Sequence, residues 1–288
     1  MFDRILKSYL LEKEFEIPDP YKYSGAWCKT DERFKEILKS DFKEKLKNFY
    51  KNEMSIGISL VRQVINGDDV EKSYDLYRRW LGELPNIKYP KEINFPQVVK
   101  CAIRQYYYSK RIFDLSQSNV IEIGGGYGAV PFHLFKNFQF DKTYIYFDIP
   151  EILLMAKYFL MTAFPEKKVL LFGEDDIKNF EDYDIVLMPH WEIANLPDKC
   201  CDLIFNAHSL SELGNEQIKE YIKHIYRLTT KYFLHFNHDE QAPHIENTLK
   251  EYVNWCPKIE MKQIYKFPEL FLIDGNGFDY FEYLYEKI

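Results

Sequence analysis

The 288 residues could form one large domain or two smaller ones, and 46% hydrophobic with 29% charged residues excludes a disordered or fibrous chain. The formal charge of −7 provides no overall attraction for nucleic acid or anionic lipid, so we expect neither as a partner. Five cysteines without a CxxC pair predict reduced thiols, and the absence of a run of roughly 20 apolar residues predicts a cytoplasmic protein without a membrane span.

Residues 1–115 are predicted to form a helical N-terminal region. Apolar residues recur at spacings of three and four over 31–51, and the pattern returns over 74–84. Three prolines between 84 and 97 then break regular structure, and a further helix is predicted over 97–112. The region carries no cofactor motif, so we expect it either to cap a ligand cleft or to mediate association, for instance into a homodimer.

Residues 116–288 are predicted to form a Rossmann-like α/β domain. Short β-prone runs alternate with helical stretches, notably 150–164 and 212–228, which indicates a mostly parallel sheet with helices on both faces. The alternating segment 278–287 follows an Asp-Gly-Asn-Gly turn and predicts a closing hairpin or an antiparallel edge strand. The other β-prone runs begin at Val120, Thr143, Lys168, Asp184, Asp202 and Tyr232.

A glycine-rich turn follows the first β-prone run. Gly124, Gly125, Gly126 and Gly128 occupy four of five successive positions, and such a turn lets backbone N–H groups approach a ligand closely. The spacing Gly124-x-Gly126-x-x-Ala129 also satisfies the dinucleotide fingerprint. The glycines alone therefore leave both NAD and S-adenosylmethionine open as cofactors.

Two acidic residues flank the glycines. Asp148 ends the second β-prone run, 20 residues after Gly128, where a carboxylate can accept both hydrogen bonds of a ribose diol. It could instead cap the helix that begins near Pro150. Glu122 lies inside the first strand, where dinucleotide-binding folds ordinarily place an apolar residue. Burying a carboxylate costs free energy unless the carboxylate has a partner, and a cationic cofactor that bears an amino-acid group would provide one.

With these residues the chain resembles the class I S-adenosylmethionine-dependent methyltransferases. The segments YFDIPE and HSLSEL, within a resemblance over residues 97–240, are similar to the sugar O-methyltransferase family. The resemblance implies a seven-stranded, mostly parallel sheet whose last strand is antiparallel, with the cofactor across the carboxyl ends of strands one to four.

The resemblance also implies roles for particular residues. The four glycines would contact the amino-acid part of the cofactor, Glu122 would support them, and Asp148 would bind the ribose. The adenine site would follow strand three, for which we prefer DIVLM over KVLLF. The remaining cofactor-binding residues are then His190, Trp191, which stacks on adenine, and Asn206 at the end of strand four.

Three residues are candidates for catalysis. His208 follows strand four and is the first candidate for the general base, with Glu212 to orient it. Ser209 and Glu212 fit a helix capping box equally well. His238 follows strand five and, together with the next two acidic residues, could supply a base or ligands to a divalent metal, which we do not favour.

The sequence thus predicts an S-adenosylmethionine-dependent O-methyltransferase that acts on a hydroxyl of a sugar or a sugar-containing glycan precursor. Arg104 and the tyrosines at 106–108 are candidates for the wall of the acceptor pocket. Two alternatives remain open: an NAD(P)-dependent oxidoreductase, and a non-catalytic methyltransferase-like subunit that binds the cofactor.

Overall fold

The computed structural model describes residues 1–22, 42–44, 46, 102–238, 261–269 and 280–288. Several predictions lie wholly or largely outside these ranges. They are the helices over 31–51 and 74–84, the proline-rich connection after them, the acidic residues Asp239 and Glu240, and the turn at Asp274.

A mixed sheet of eight strands forms the centre of the described chain. Its order is β3-β4-β2-β1-β5-β6-β8-β7; strands β1 to β6 run parallel, and β8 runs antiparallel to both of its neighbours. This confirms the predicted mostly parallel α/β sheet. The strands are β1 (Val120–Ile123), β2 (Tyr144–Asp148), β3 (Val169–Leu171), β4 (Ile185–Pro189), β5 (Cys201–Ala207), β6 (Thr229–His238), β7 (Met261–Pro268) and β8 (Tyr280–Lys287).

Helices cover both faces of the sheet. Residues alternate across each strand, so in β1 Val120 belongs to one core, and Ile121 and Ile123 belong to the other. The first core is covered by α1 to α4, and the second by α5 and several short 3-10 turns. The α-helices whose bounds lie within the described residues are α1 (Phe2–Glu14), α2 (Ala102–Leu115), α3 (Ala129–Asn137), α4 (Pro150–Ala163) and α5 (Asn215–Leu228).

The C-terminal strands differ from the prediction in number and position. β7 is an additional strand at the edge of the sheet, so the described sheet has eight strands rather than seven. Its side chains are mostly exposed, and this removes the apolar alternation by which a half-buried strand is recognised. β8 is antiparallel, as predicted. It pairs with β7, which corresponds to the closing hairpin, and it lies between β6 and β7, so the alternative of an edge strand is not observed.

A buried ion pair joins α1 to α4. Lys157 Nζ contacts Glu12 Oε1, and both side chains are fully buried. Ser8 completes the cluster, because it accepts from Lys157 at 3.0 Å and donates to Glu12 at 3.2 Å. Burial raises the pKa of Glu12 and lowers that of Lys157, while their mutual attraction opposes both shifts. The first helix is therefore held to the sheet by charge pairing as well as by apolar packing.

Replacing Lys157 with methionine should lower the free energy of unfolding by about 3–5 kcal/mol, because Glu12 then stays buried without its charge partner. Urea denaturation measures the loss. The double variant Glu12→Leu/Lys157→Met should recover most of it, since no charge remains buried. Lys110→Met is the control: its ion pair with Asp114 is exposed, and we expect less than about 1 kcal/mol. Equal losses for Lys157→Met and Lys110→Met would contradict this account.

Candidate functional site

The candidate site lies at the carboxyl edge of the sheet, between β1 and β5. From β1 the chain adds strands on one side through β2 and β4, then returns to add β5 and β6 on the other. Open α/β sheets bind ligands in the crevice at such a reversal of strand order. Ile123 lies beside Asn206 in the sheet register, so the segments that follow β1 and β5 meet at this crevice.

The glycines after β1 serve two different purposes. Gly124, Gly126 and Gly128 have φ values of +69°, +67° and +89°, which side chains strongly disfavour. A Cβ on Gly124 would overlap Ser209, and one on Gly125 would overlap the carboxylate of Glu122. A Cβ on Gly126 would meet no atom within 4 Å. The loop is thus packed tightly against the protein at its start and open at Gly126.

Glu122 lies beneath this loop. Its side chain is buried, packs under Gly125 and accepts a hydrogen bond of 3.0 Å from the hydroxyl of Tyr144. Burial raises the pKa of Glu122 to about 8, and nearby Asp148 adds to the increase. Glu122 therefore lies directly against the glycine loop, and its supporting role toward a cofactor stays a prediction.

Asp148 contacts the loop directly. Its Oδ2 atom accepts from Gly126 N at 3.1 Å and from the Tyr146 hydroxyl at 2.9 Å, while Oδ1 accepts from Ile149 N at 2.8 Å. Ile149, not Asp148, occupies the N-cap position of α4, so the alternative of a helix cap is not observed. Burial raises the pKa of Asp148 to about 7, and Glu212 contributes to the rise. A carboxylate has about four acceptor positions, so Asp148 retains capacity for a ligand.

The predicted adenine contacts follow β4, the strand that pairs with β2. His190 and Trp191 begin a 3-10 turn, immediately after Pro189, which lies beside Asp148 in the sheet. Trp191 is buried and stacks on Phe15 with ring centroids 5.3 Å apart. Burial lowers the pKa of His190 to about 4, and its neutral ring donates through Nε2 to a backbone carbonyl at 2.8 Å. One face of Trp191 is thus covered by the N-terminal segment, and adenine binding by both residues stays a prediction.

Asn206 belongs to a buried hydrogen-bond network. Its amide donates to Ile123 O at 2.6 Å and to Ser209 Oγ, and its Oδ1 atom accepts from Asn237 at 2.7 Å. Asn237 in turn accepts from Ser211 N at 3.1 Å. The network ties together the carboxyl ends of β1, β5 and β6. Asn206 thereby helps to hold these strand ends together at the crevice. The role of Asn237 was not predicted, because an asparagine after a β-prone run carries no specific motif.

His208 projects from the end of β5 toward a buried pair of side chains. Its Nε2 atom lies 2.8 Å from the Tyr108 hydroxyl and 3.4 Å from Glu269 Oε2. Tyr108 also donates to Glu269 Oε1. Burial acts to raise the pKa of Glu269, but the charges of His208 and Arg104 and the hydrogen bonds hold it below its ordinary value. Glu269 was not predicted, because only the fold brings it to His208.

The other two catalytic candidates lie nearby. Glu212 is buried in the 3-10 turn Leu210–Glu212, close enough to Asp148 to raise its pKa. The alternative capping box is not formed, since Ser209 donates to Ile123 O and α5 begins only at Asn215. His238 ends β6, and the rings of His238 and His208 both pack against Tyr280, with centroids 3.6 and 4.4 Å away.

The described part of the chain contains neither a metal-binding cluster nor a membrane-spanning helix. Within residues 1–22, 42–44, 46, 102–238, 261–269 and 280–288, no three or more His, Cys, Asp or Glu side chains are grouped so as to hold a metal ion. The helices in those same ranges are all too short or too polar to cross a bilayer.

Among known proteins, the chain is similar only to solved structures. No family model and no curated protein matches the chain. The magnesium protoporphyrin IX methyltransferase of Synechocystis PCC 6803 with bound S-adenosylmethionine is 14% identical, covers 80% of this chain and 97% of its own, and has a TM-score of 0.43. A SAM-dependent methyltransferase from Aquifex aeolicus is 15% identical, covers 69% and 96%, and also scores 0.43. TM-scores below 0.5 do not assign the chain to their family, so the functional argument rests on the geometry of the site.

Proposed function

We propose that the chain is an S-adenosylmethionine-dependent O-methyltransferase that acts on a hydroxyl of a sugar or a sugar-containing glycan precursor. The observation that carries the proposal is the open side of the loop at Gly126, whose backbone N–H is held by Asp148. There the backbone would bind the amino-acid portion of the cofactor and Asp148 the ribose.

The charges around the loop favour a cationic cofactor over NAD. Asp148 lies close enough to Glu122 and to Glu212 for their charges to interact, although burial is the main cause of the raised pKa values of Glu122 and Asp148. In their ionised forms these acids attract the ammonium and sulfonium groups of S-adenosylmethionine and repel the diphosphate of NAD. This is why the methyltransferase ranks above the oxidoreductase, although the glycine spacing fits both.

The remaining site residues fit the transfer of a methyl group to oxygen. S-adenosylmethionine would supply an activated methyl group, so the protein must orient the acceptor and remove its proton. His208 is the proposed base, and Glu212 and His238 lie at the same edge of the sheet. Support for a sugar comes from the rings of Tyr280 and His238, which can pack against a sugar face and hydrogen bond its hydroxyls.

The helical N-terminal region, residues 1–115, is proposed to cap this cleft, ahead of the catalytic domain over 116–288. Phe15 stacks on Trp191, and the backbone carbonyl of Tyr21 accepts from His190. Both contacts join the first segment of the chain to residues of the proposed adenine site, and this supports the capping role.

Binding of S-adenosylmethionine should strengthen about tenfold between pH 6 and pH 8.5. Asp148, with a pKa of about 7, and Glu122, with one of about 8, are mostly protonated at pH 6 and mostly ionised at pH 8.5. Because folding raises these pKa values from the ordinary 3.8 of Asp148 and 4.5 of Glu122, the free protein loses stability as the pH rises from about 4 to about 8, and a cationic ligand offsets the loss. Calorimetry measures the affinity, and Asp148→Asn should flatten its pH dependence. Affinity that falls with pH would argue against a cationic ligand.

The proposed function is tested by incubating the protein with S-adenosylmethionine and a panel of nucleotide sugars and methyl glycosides. Formation of S-adenosylhomocysteine that depends on one of these acceptors supports it. Cofactor binding without turnover on any acceptor indicates the non-catalytic subunit instead. Binding of NADH, measured by fluorescence, without binding of S-adenosylmethionine would indicate the oxidoreductase.

A further inference from the structure

The partners of His208 determine which of its two ring nitrogens can act as a base. We propose that Nδ1 of His208 is the basic atom, and that Tyr108 and Glu269 are positioning residues that keep the proton of the neutral ring on Nε2. The proposal rests on the proposed function, in which His208 removes the proton of the acceptor hydroxyl.

The direction of the hydrogen bonds leads to this assignment. The Tyr108 hydroxyl donates its hydrogen to Glu269 Oε1, so its oxygen is left to accept from His208 Nε2 at 2.8 Å. The second oxygen of Glu269 lies 3.4 Å from the same nitrogen and can only accept. Two acceptors therefore face Nε2, and neither has a hydrogen left to donate to it. The hydrogen of the neutral ring must then lie on Nε2, because hydrogen-bond partners determine the tautomer of a histidine. The lone pair then resides on Nδ1.

The backbone shows that this orientation is imposed on His208. Its φ of +65° lies in the left-handed region, which costs a residue with a side chain roughly 1–2 kcal/mol. The strained residue is held by a hydrogen bond of 2.8 Å from its N–H to Phe236 O and by the contacts of its ring. Such strain clusters at functional sites, where the surrounding structure maintains it.

The two side chains of this pair differ in their exposure to solvent. The Glu269 side chain is fully buried, whereas the His208 side chain is 19% exposed to solvent. The charged and titratable groups around the pair are Arg104 and Tyr108 on α2, Tyr280 on β8 and His238 at the end of β6.

The chemical role of Glu269 follows from this placement. As the acceptor oxygen bonds to the methyl carbon and the carbon–sulfur bond breaks, the hydroxyl proton passes to Nδ1, and solvent removes it afterwards. Glu269 keeps its negative charge and stabilises the imidazolium ion.

Nitrogen NMR on histidine-labelled protein tests the assignment without any acceptor. The His208 signal is identified by its loss in His208→Asn, and we expect the wild-type ring to show protonated Nε2 and unprotonated Nδ1. Tyr108→Phe removes one acceptor and should produce a mixture of tautomers. Glu269→Gln replaces a buried acceptor with an amide that can also donate, so it should produce a mixture of tautomers as well.

Glu282 provides a matched control. It is as buried as Glu269 and accepts a hydrogen bond of 2.6 Å from Tyr107, the neighbour of Tyr108 on α2, but its other partners are Arg111 and Tyr265. Glu282→Gln should therefore leave the tautomer of His208 unchanged, even where it lowers the stability of the protein.

Turnover measurements complete the test. Once an acceptor is found, Glu269→Gln should lower kcat about ten- to a hundredfold, part of the roughly 10²- to 10⁴-fold that a positioned base contributes. Protonated Nδ1 in the wild type, or a Glu269→Gln protein that keeps the wild-type tautomer, would overturn the inference whether or not the enzyme turns over. No turnover in the wild type, with intact cofactor binding and protonated Nε2, would overturn the proposed function alone.

Discussion

Replacing Gly126 with valine should weaken the binding of S-adenosylhomocysteine at least about a hundredfold, which corresponds to roughly 2.7 kcal/mol. The residue has a φ of +67°, and the direction of its Cβ leads into open space at the mouth of the crevice. A branched side chain there both resists the backbone conformation and occupies the volume proposed for the ligand. Calorimetry with S-adenosylhomocysteine measures the effect directly.

Gly173→Val is the control for the loss of backbone freedom. Gly173 also has a positive φ, +82°, but it follows β3, and its Cβ would meet only the end of the Leu11 side chain. We therefore expect a loss of stability with affinity unchanged within about twofold. Wild-type affinity in a folded Gly126→Val protein would remove the glycine loop from the binding site.

Replacing His208 with asparagine should lower kcat by about 10²- to 10⁴-fold, the usual contribution of a positioned general base. Asparagine is the appropriate substitute because it tolerates the left-handed backbone conformation at this position. The affinity for S-adenosylhomocysteine should stay within about threefold, since the His208 ring forms its hydrogen bond with Tyr108 and contacts Glu269 rather than the glycine loop. The rate of S-adenosylhomocysteine formation with an active acceptor measures the loss.

His133→Asn is the matched control for this second experiment. His133 is buried on α3, where burial lowers its pKa to about 3, and its ring packs against Tyr106 away from the crevice. The variant should lose stability but retain kcat. Equal kcat for His208→Asn and the wild type would exclude His208 as the base.

The parts of the fold that were predicted correctly carry a local signal. The runs that begin at Val120, Thr143, Asp184 and Asp202 are short, apolar and bounded by turns, and each forms a strand within two residues of the expected start. β7 was missed because it is exposed at the edge of the sheet, and exposure removes the alternation that marks a strand. β8 was recognised as a strand, but its place between β6 and β7 depends on pairing partners far away in the chain.

The sequence by itself determined the glycine turn, the acid before it and the acid that ends the next strand, because each depends on neighbours within one strand–turn–helix unit. Tertiary structure alone decided what surrounds them. It places Phe15 on Trp191, joins Asn206 to Asn237, and brings Glu269 and Tyr108 to His208 from positions 61 and 100 residues away. A buried carboxylate beside a histidine depends on which strand ends share one edge of the sheet, and strand order leaves no trace in the spacing of residues along the chain.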